Sequence, residues 1–350
     1  MCGINGIVDL SLSEEQLSKK LHLMNVQIQH RGPDASKIYI ENPIGMGHVR
    51  LSILDVSQSA DQPMHSASGR YIIVFNGEIY NFKKLTRILV NDFNIKLKTS
   101  GDTEILVNLI ECLGINKAVE LLEGMFAFSV YDKKNRKLFL VRDRFGEKPL
   151  FWYCKNNKLY FSSELGPLTN QLKSSLTINY DSLSFFLKKS YVPSGASIYN
   201  EIQKLNPATI LSIDLSKGNF AIEETKYWDY LDIALKNSNN ESLEINSNHY
   251  LGVKASLAEL LEKKITQTMV SDVPLGAFLS GGYDSSCVVA FMQKNSTSKI
   301  KTFSIGFDEQ LYNEAQHAKE ISSILGTDHN ELYLSKNDLL DTISTLPAVY

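Results

Sequence analysis

Apolar and polar residues alternate in short runs through about the first two hundred positions, the pattern of strands that bury one face. The segments GINGIVDL, SKIYIEN, GMGHVRLSILD, RYIIVFNGEIYN, MFAFSVYD, RKLFLVRDRFG, PLFWYCKNNKLYFSSE and ATILSIDL all read as β-structure. Polar tetrads at residues 133–136 and 155–158 separate paired runs and predict hairpin turns between antiparallel neighbours. Two stripes recur at helical spacing: Leu17, Leu21, Met24 and Ile28, and then Ile105, Leu106, Leu109, Ile110 and Leu113. The second helix is predicted to start at Asp102 or Thr103 as N-cap and to stop at Gly114. Many antiparallel strands with segregated helices predict an α+β sandwich over residues 1–215.

From residue 216 to the end the pattern changes, with a polar linker expected around residues 235–249. A helix carrying Leu251, Ala255, Ala258, Leu261, Ile265 and Met269 is followed by the strand VPLGAFL, the turn SGGYDSS, the helix CVVAFMQ, the strand KTFSIGF and the helix NEAQHAKEISSILG. Strand, loop, helix, strand and helix is the start of a parallel α/β sheet. Such a sheet, covered on both faces, normally has more strands than follow here, so the chain is expected to be the front portion of a longer domain.

A length of 350 residues suits two cores, and the 43% apolar and 21% charged fractions are those of a globular protein. The net charge of -3 gives no electrostatic case for nucleic acid or an anionic membrane as partner. No apolar run approaches the roughly 20 residues of a membrane span, and no basic-then-apolar leader opens the chain. Cys2, Cys112, Cys154 and Cys287 form no CxxC pair, which speaks against zinc or a disulfide framework and points to the cytoplasm. Cys112, Cys154 and Cys287 are expected to be small buried apolar residues.

Cys2 reads differently. Methionine before a small residue is normally excised, which leaves Cys2 with a free α-amine whose pKa of about 7.7–8.0 provides a neutral fraction near pH 7. Thiol and base then share one residue, and the thiol can attack an amide while preorganised donors receive the oxyanion. CGINGIV resembles the opening of the class II (N-terminal nucleophile) glutamine amidotransferases, and HRGPD, RLSILD, NGEIYN and SGDTE resemble that family's further motifs in the same order. The resemblance implies a glutaminase with the nucleophile Cys2 and an oxyanion site at Asn76 and Gly77. It implies a glutamine pocket made by Arg50, Leu51, Ser52, Ile53, Leu54, Asn76, Gly77, Glu78 and Asp102. In it Arg50 is suited to a bidentate grip on the α-carboxylate, and Glu78 and Asp102 to the ammonium group. Asn76-Gly77 is also a good type I′ turn and Asp102 a good helix cap. His30 and Arg31 are expected to hold the RGPD turn and take no part in the chemistry.

SGGYDSS, between an apolar strand and a helix, offers glycine backbone, a helix N-terminus and hydroxyl donors to an anion, and lacks the ending of a Walker loop. It resembles the pyrophosphate loop of enzymes that cleave ATP to AMP and pyrophosphate. A class II glutaminase followed by this loop resembles the glutamine-hydrolysing asparagine synthetase family over essentially the whole chain. That implies an αββα sandwich followed by an ATP-pyrophosphatase-type domain, with glutamine, ATP and aspartate as substrates, Mg2+ as cofactor and a tendency to form homodimers. It also implies an ATP site of Leu279, Ser280, Gly281, Gly282, Asp284, Ser285, Ser286 and Ile305, with Asp284 near the magnesium ion. Tyr283 stands where most relatives have an aliphatic residue and is expected to face away from the phosphates. The family's second glycine-rich acidic loop has no match here. A relative amidating another carboxylate such as a glycan uronic acid, a glutaminase-only fragment, and a non-catalytic regulatory descendant are the alternative readings; the presence of Cys2, Arg50, Asn76, Gly77 and Asp102 argues against the last.

Overall fold

β1 (Gly3–Asp9) is buried along its whole length because both of its faces are covered. Ile4 and Val8 point into a core between two sheets, while Ile7 points the other way, against Leu17, Leu21 and Met24 of α1 (Glu14–Gln27). α1 begins at Ser13, which forms a reciprocal capping box with Gln16. The computed structural model describes residues 1–217, 220–238, 247–307 and 313–346. The chain divides into two compact units, Met1–Glu241 and Ser242–Tyr350.

In the first unit β2 (Ala35–Glu41), β3 (Ile44–Arg50), β4 (Met64–His65) and β5 (Tyr71–Ile79) lead to helices α2 (Phe82–Phe93), α3 (Asp102–Leu113) and α4 (Ile115–Leu121). Then come β6 (Gly124–Asp132), β7 (Lys137–Arg142), β8 (Phe151–Lys155), β9 (Lys158–Ser162), α5 (Leu165–Leu172) and α6 (Tyr180–Lys189). β10 (Gln203–Lys204), β11 (Thr209–Asp214), β12 (Ala221–Lys226) and α7 (Tyr230–Ser238) complete it. The strands make two antiparallel sheets, in the orders β10-β8-β9-β1-β3-β2 and β12-β11-β7-β6-β5-β4. Met46 and Phe161 from one sheet meet Ile72, Val74 and Leu140 from the other in the shared core. α1 and α5 pack outside the first sheet, and α3 packs on β4 and β5 of the second. This is the αββα sandwich.

Several sequence expectations shift in detail. The boundary expected at residues 215/216 falls inside the first unit, because β12 pairs with β11 from Ala221 to Lys226. Within the expected linker, residues 239–246 lie outside the described residues. β3 ends at Arg50, so the LSILD part of the predicted strand is loop. Asn76 and Gly77 lie mid-strand in β5 and make no turn. The hairpin turn at Asn156 and Asn157 has φ of 53° and 56°, as a type I′ geometry requires. The N-cap of α3 is Gly101, and Asp102 follows it as the first helical residue, because its carboxylate is turned onto the neighbouring strand. Cys112 and Cys154 are half-buried, and Cys287 is exposed where a buried residue was expected.

In the second unit β13 (Gly276–Phe278), β14 (Lys301–Phe307) and β15 (Asp328–Leu334) form a parallel sheet in that order. α8 (Ser247–Thr268) precedes it and ends one residue short of the predicted Met269; VPLGAFL contributes only the three residues of β13. α9 (Tyr283–Lys294) and α10 (Ala315–Leu325) are the two crossovers, and α11 (Lys336–Ile343) follows β15. Leu279, Val289 and Ala318 form the buried centre of this unit. Among the described residues no helix is long and apolar enough to cross a membrane.

Candidate active site

The pairing of β1 on β3, which sets Gly3 opposite Val49, carries Cys2 to the start of the loop after Arg50. Leu51 N–H donates to Cys2 Sγ at 3.4 Å, and the thiol reaches Leu51 O at 3.6 Å. Burial pushes the Cys2 thiol up from its ordinary value, against the pull of the Leu51 N–H. The backbone of Cys2 is held separately: Arg31 Nε donates to Cys2 O at 3.0 Å, and Arg31 Nη1 pairs with Glu164 at 2.8 Å. Glu164 also takes His30 Nε2 at 3.0 Å, so His30 and Arg31 brace the N-terminal segment.

One pocket is lined by Cys2, Arg50, Leu51, Ile53, Leu54, Asn76, Gly77, Glu78 and Asp102 together. Ser52 does not line it; its N–H is bonded to Asp34 Oδ2 at 2.7 Å. Asp55, at the end of the same loop, accepts from Ser100 N–H at 2.7 Å, which ties RLSILD to the SGDTE turn in front of α3.

Asn76 is 1% exposed, and neither Nδ2 nor Oδ1 of its amide has a hydrogen-bond partner among the described residues. An unpaired buried polar group costs about 1–3 kcal/mol, which a ligand bonding to it recovers. Gly77 is required for a reason the sequence does not announce. A Cβ there would lie 2.2 Å from Met125 O and 2.7 Å from Phe126 Cα on β6, so no side chain fits between the strands. Asp102 Oδ2 accepts from Ile79 N–H at 2.9 Å. Burial pushes its carboxyl up to about 6, with Glu78 adding to the rise. Glu78 is itself raised by burial, while Lys148 pulls it down. The two carboxylates form an acidic recess suited to a cationic head group.

Arg50 lines the pocket and is already engaged by the loop that follows it. Its Nη1 donates to Asp61 Oδ1 at 2.6 Å and to Ser57 O at 2.7 Å; its Nη2 meets Leu54 O at 3.4 Å and also Asp55 O. Four of its five N–H donors thus have protein acceptors, and the guanidinium gathers the loop around itself. Sequence reasoning missed Asp61. A buried arginine demands a carboxylate partner, but nothing in the pattern says which one. It also missed Lys148, which is 5% exposed and lines the same pocket.

In the second unit, residues 280–286 wrap on themselves: Ser280 Oγ lies 2.9 Å from Ser285 Oγ, which also receives Ser280 N–H at 3.3 Å. Gly281 has φ of 81°, and a Cβ would meet His317 Cβ at 2.9 Å. Gly282 caps α9, and Ser286 Oγ is buried without a partner among the described residues. Tyr283 is 97% exposed. Leu279 is spent in the core, while Ile305 is 48% exposed. Asp284 lies in the first turn of α9, and among the described residues no group of three or more His, Cys, Asp or Glu side chains converges as a metal site. A lone carboxylate of this kind fits magnesium only together with phosphate oxygens.

The two units match two family descriptions. Residues 1–228 match a glutamine amidotransferase domain, and residues 256–350 match asparagine synthase. A putative glutamine-hydrolysing asparagine synthetase 2 of Methanocaldococcus jannaschii is 35% identical over 100% of this chain and 68% of that protein. The glutamine-hydrolysing asparagine synthetase 2 of Bacillus subtilis is 33% identical over 97% of this chain and 45% of its own length. Among solved structures, a glutamine phosphoribosylpyrophosphate amidotransferase of Bacillus subtilis aligns over 97% of this chain and 92% of that one, with a TM-score of 0.49 and 14% identity. The chain belongs to the glutamine-hydrolysing asparagine synthetase family. It spans about two thirds of the archaeal relative and less than half of the Bacillus one.

Proposed function

We propose that the first unit hydrolyses glutamine at Cys2, and that the ammonia amidates aspartate activated by ATP, giving asparagine, AMP, pyrophosphate and glutamate. The observation that carries the first half is the meeting, in one pocket, of the half-buried Cys2 thiol, the orphaned amide of Asn76 and the acidic pair Glu78 and Asp102. Excision of Met1 frees the α-amine of Cys2. The thiol gives its proton to that amine as sulfur bonds to the amide carbon, and Asn76 Nδ2 and the Gly77 N–H receive the oxyanion. On collapse the C–N bond breaks, the proton passes to the leaving nitrogen, and ammonia departs. Water then cleaves the thioester, releasing glutamate and restoring the thiol. Glu78 and Asp102 take the ammonium of glutamine, and Arg50 fixes the loop and presents positive charge to the carboxylate.

For the second half, Ser280, Gly281, Gly282, Ser285 and Ser286 embrace the pyrophosphate of ATP, with Ile305 at the adenosine. The unpaired Ser286 Oγ and the glycine backbone supply donors. Asp284 would hold Mg2+, which neutralises phosphate charge when bound. A thiol-alkylating glutamine analogue should add one equivalent to Cys2, and labelled pyrophosphate should exchange into ATP only when aspartate is supplied. Label on another cysteine would overturn the first half, and exchange with a different carboxylate would replace aspartate as acceptor.

Asp102 sets a pH dependence. Its carboxyl titrates at about 6 in the folded chain, above the ordinary 3.8, so it is neutral below that pH and cannot pair with the substrate ammonium. The KM for glutamine should therefore rise by up to about tenfold per unit as pH falls through 6. The same shift works the other way on stability. The folded chain holds that proton more tightly, so the contribution of Asp102 is fullest in acid and is lost as pH rises from 3.8 through about 6. A KM flat between pH 5 and 7 would remove Asp102 from the ammonium site.

A further inference from the structure

Of the four acceptors that Arg50 meets among the described residues, Asp61 alone stands outside the loop at 51–57. Leu54, Asp55 and Ser57 bind Arg50 through main-chain carbonyls of that loop, which the guanidinium itself holds in shape. Asp61 offers a carboxylate at 2.6 Å from Nη1, and both side chains are only 7% exposed. Its other oxygen receives Lys37 Nζ at 3.0 Å, from β2. The β2–β3 register sets Lys37 opposite His48, two residues before Arg50, so Lys37 and Arg50 share one face of the sheet. The residue after Asp61 is anchored as well. Gln62 Oε1 accepts from Phe75 N–H on β5 at 2.6 Å, and Gln62 Nε2 donates to Thr103 Oγ1 on α3 at 3.2 Å. Burial pushes the Asp61 carboxyl up, but Lys37 and Arg50 outweigh it and hold the group below its ordinary value. Asp61 is therefore charged, and its place is set by both sheets and not by the loop.

We propose that Asp61 is a positioning residue for the substrate: it fixes the Arg50 guanidinium where the α-carboxylate of glutamine meets it, and so sets the preference of the pocket for a free amino acid. The inference deepens the glutaminase reading and rests on it. A guanidinium is planar, and its grip on a carboxylate depends on how that plane is turned. The loop carbonyls give no independent reference for the plane, because residues 51–57 are themselves organised by Arg50. Asp61 gives one. Lys37 adds a second effect, since its charge offsets that of Asp61 and leaves the three groups together cationic. A lone carboxylate beside Arg50 would cancel the attraction that an anionic substrate group needs.

The test uses the full chain and compares glutamine with γ-aminobutyramide, which keeps the amide and the ammonium but lacks the α-carboxylate. In Asp61→Asn, kcat/KM for glutamine should fall about tenfold, through KM, while that for γ-aminobutyramide stays within about twofold of the wild type. An equal fall for both substrates would mean that Asp61 only supports the fold, and would overturn the proposal. A stronger preference for glutamine, as expected if Asp61 merely repelled the carboxylate, would overturn it too. Should Asp61→Asn not fold, Asp61→Glu keeps the charge and displaces the guanidinium. It should show the same selective loss, and an unchanged ratio would reject the role. A second measurement needs no turnover: in calorimetry on Cys2→Ala, adding Asp61→Asn should weaken glutamine about tenfold and leave γ-aminobutyramide unchanged. A wild type that binds glutamine but hydrolyses neither compound would overturn the glutaminase reading, and the calorimetric ratio would still decide Asp61.

Discussion

Cys2→Ala should lose glutamine hydrolysis by a factor on the order of 10^4 or more, as removal of a covalent nucleophile does in other hydrolases. The fold should barely notice. Cys2 lies ahead of β1, and among the described residues its sulfur makes two long hydrogen bonds, both with Leu51, so the melting temperature should stay within a few degrees of the wild type. Alanine at Cys112, Cys154 or Cys287 should leave turnover near the wild-type rate, since none of them lines the pocket. Ammonia release and glutamate formation, measured together, check both statements. Hydrolysis surviving Cys2→Ala within about tenfold would mean that another group attacks the amide.

Asn76→Ala should lower kcat by about 10^2–10^3 while changing KM for glutamine little, the signature of a donor that bonds chiefly to the developing oxyanion. The stability change makes this prediction sharp. Removing a hydrogen-bonded buried amide is usually costly, but this amide has no protein partner among the described residues. Its deletion relieves an unsatisfied pair of polar atoms and opens a small cavity, so the net change should stay within about 1 kcal/mol. Were Asn76 needed to shape the backbone, the order would reverse, with unfolding at lower denaturant and kcat intact. A chemical denaturation curve set beside steady-state kinetics separates the two.

The sandwich was legible because most strands of the first unit are apolar runs bounded by polar turns, and because the stripe from Leu17 to Ile28 has no competing period; the two-residue β4 and β10 and the polar β12 carry no such run. The loop after β3 was harder. Leu51, Ile53 and Leu54 continue a strand-like rhythm, but their apolar side chains serve a pocket wall, and the chain leaves the sheet where Arg50 draws its carbonyls inward. Asn76-Gly77 reads as a turn only to local chemistry; tertiary burial between β5 and β6 overrides it. The residues that the motifs assign to the glutamine pocket line one pocket in the structure, Ser52 apart. They were silent on Asp61 and Lys148, because the charge that answers a buried cation lies wherever the fold delivers it. The hydrogen bonds already held by Arg50 are likewise a property of the assembled loop, and they fix its guanidinium in one place at the pocket wall.

The grip of Arg31 on the carbonyl of Cys2 has a bearing on how the protein matures. Neither that bond nor the Leu51 contacts of the sulfur involve the initiator residue. Excision of Met1 would therefore break none of these bonds, and the thiol would keep its place against the loop after β3.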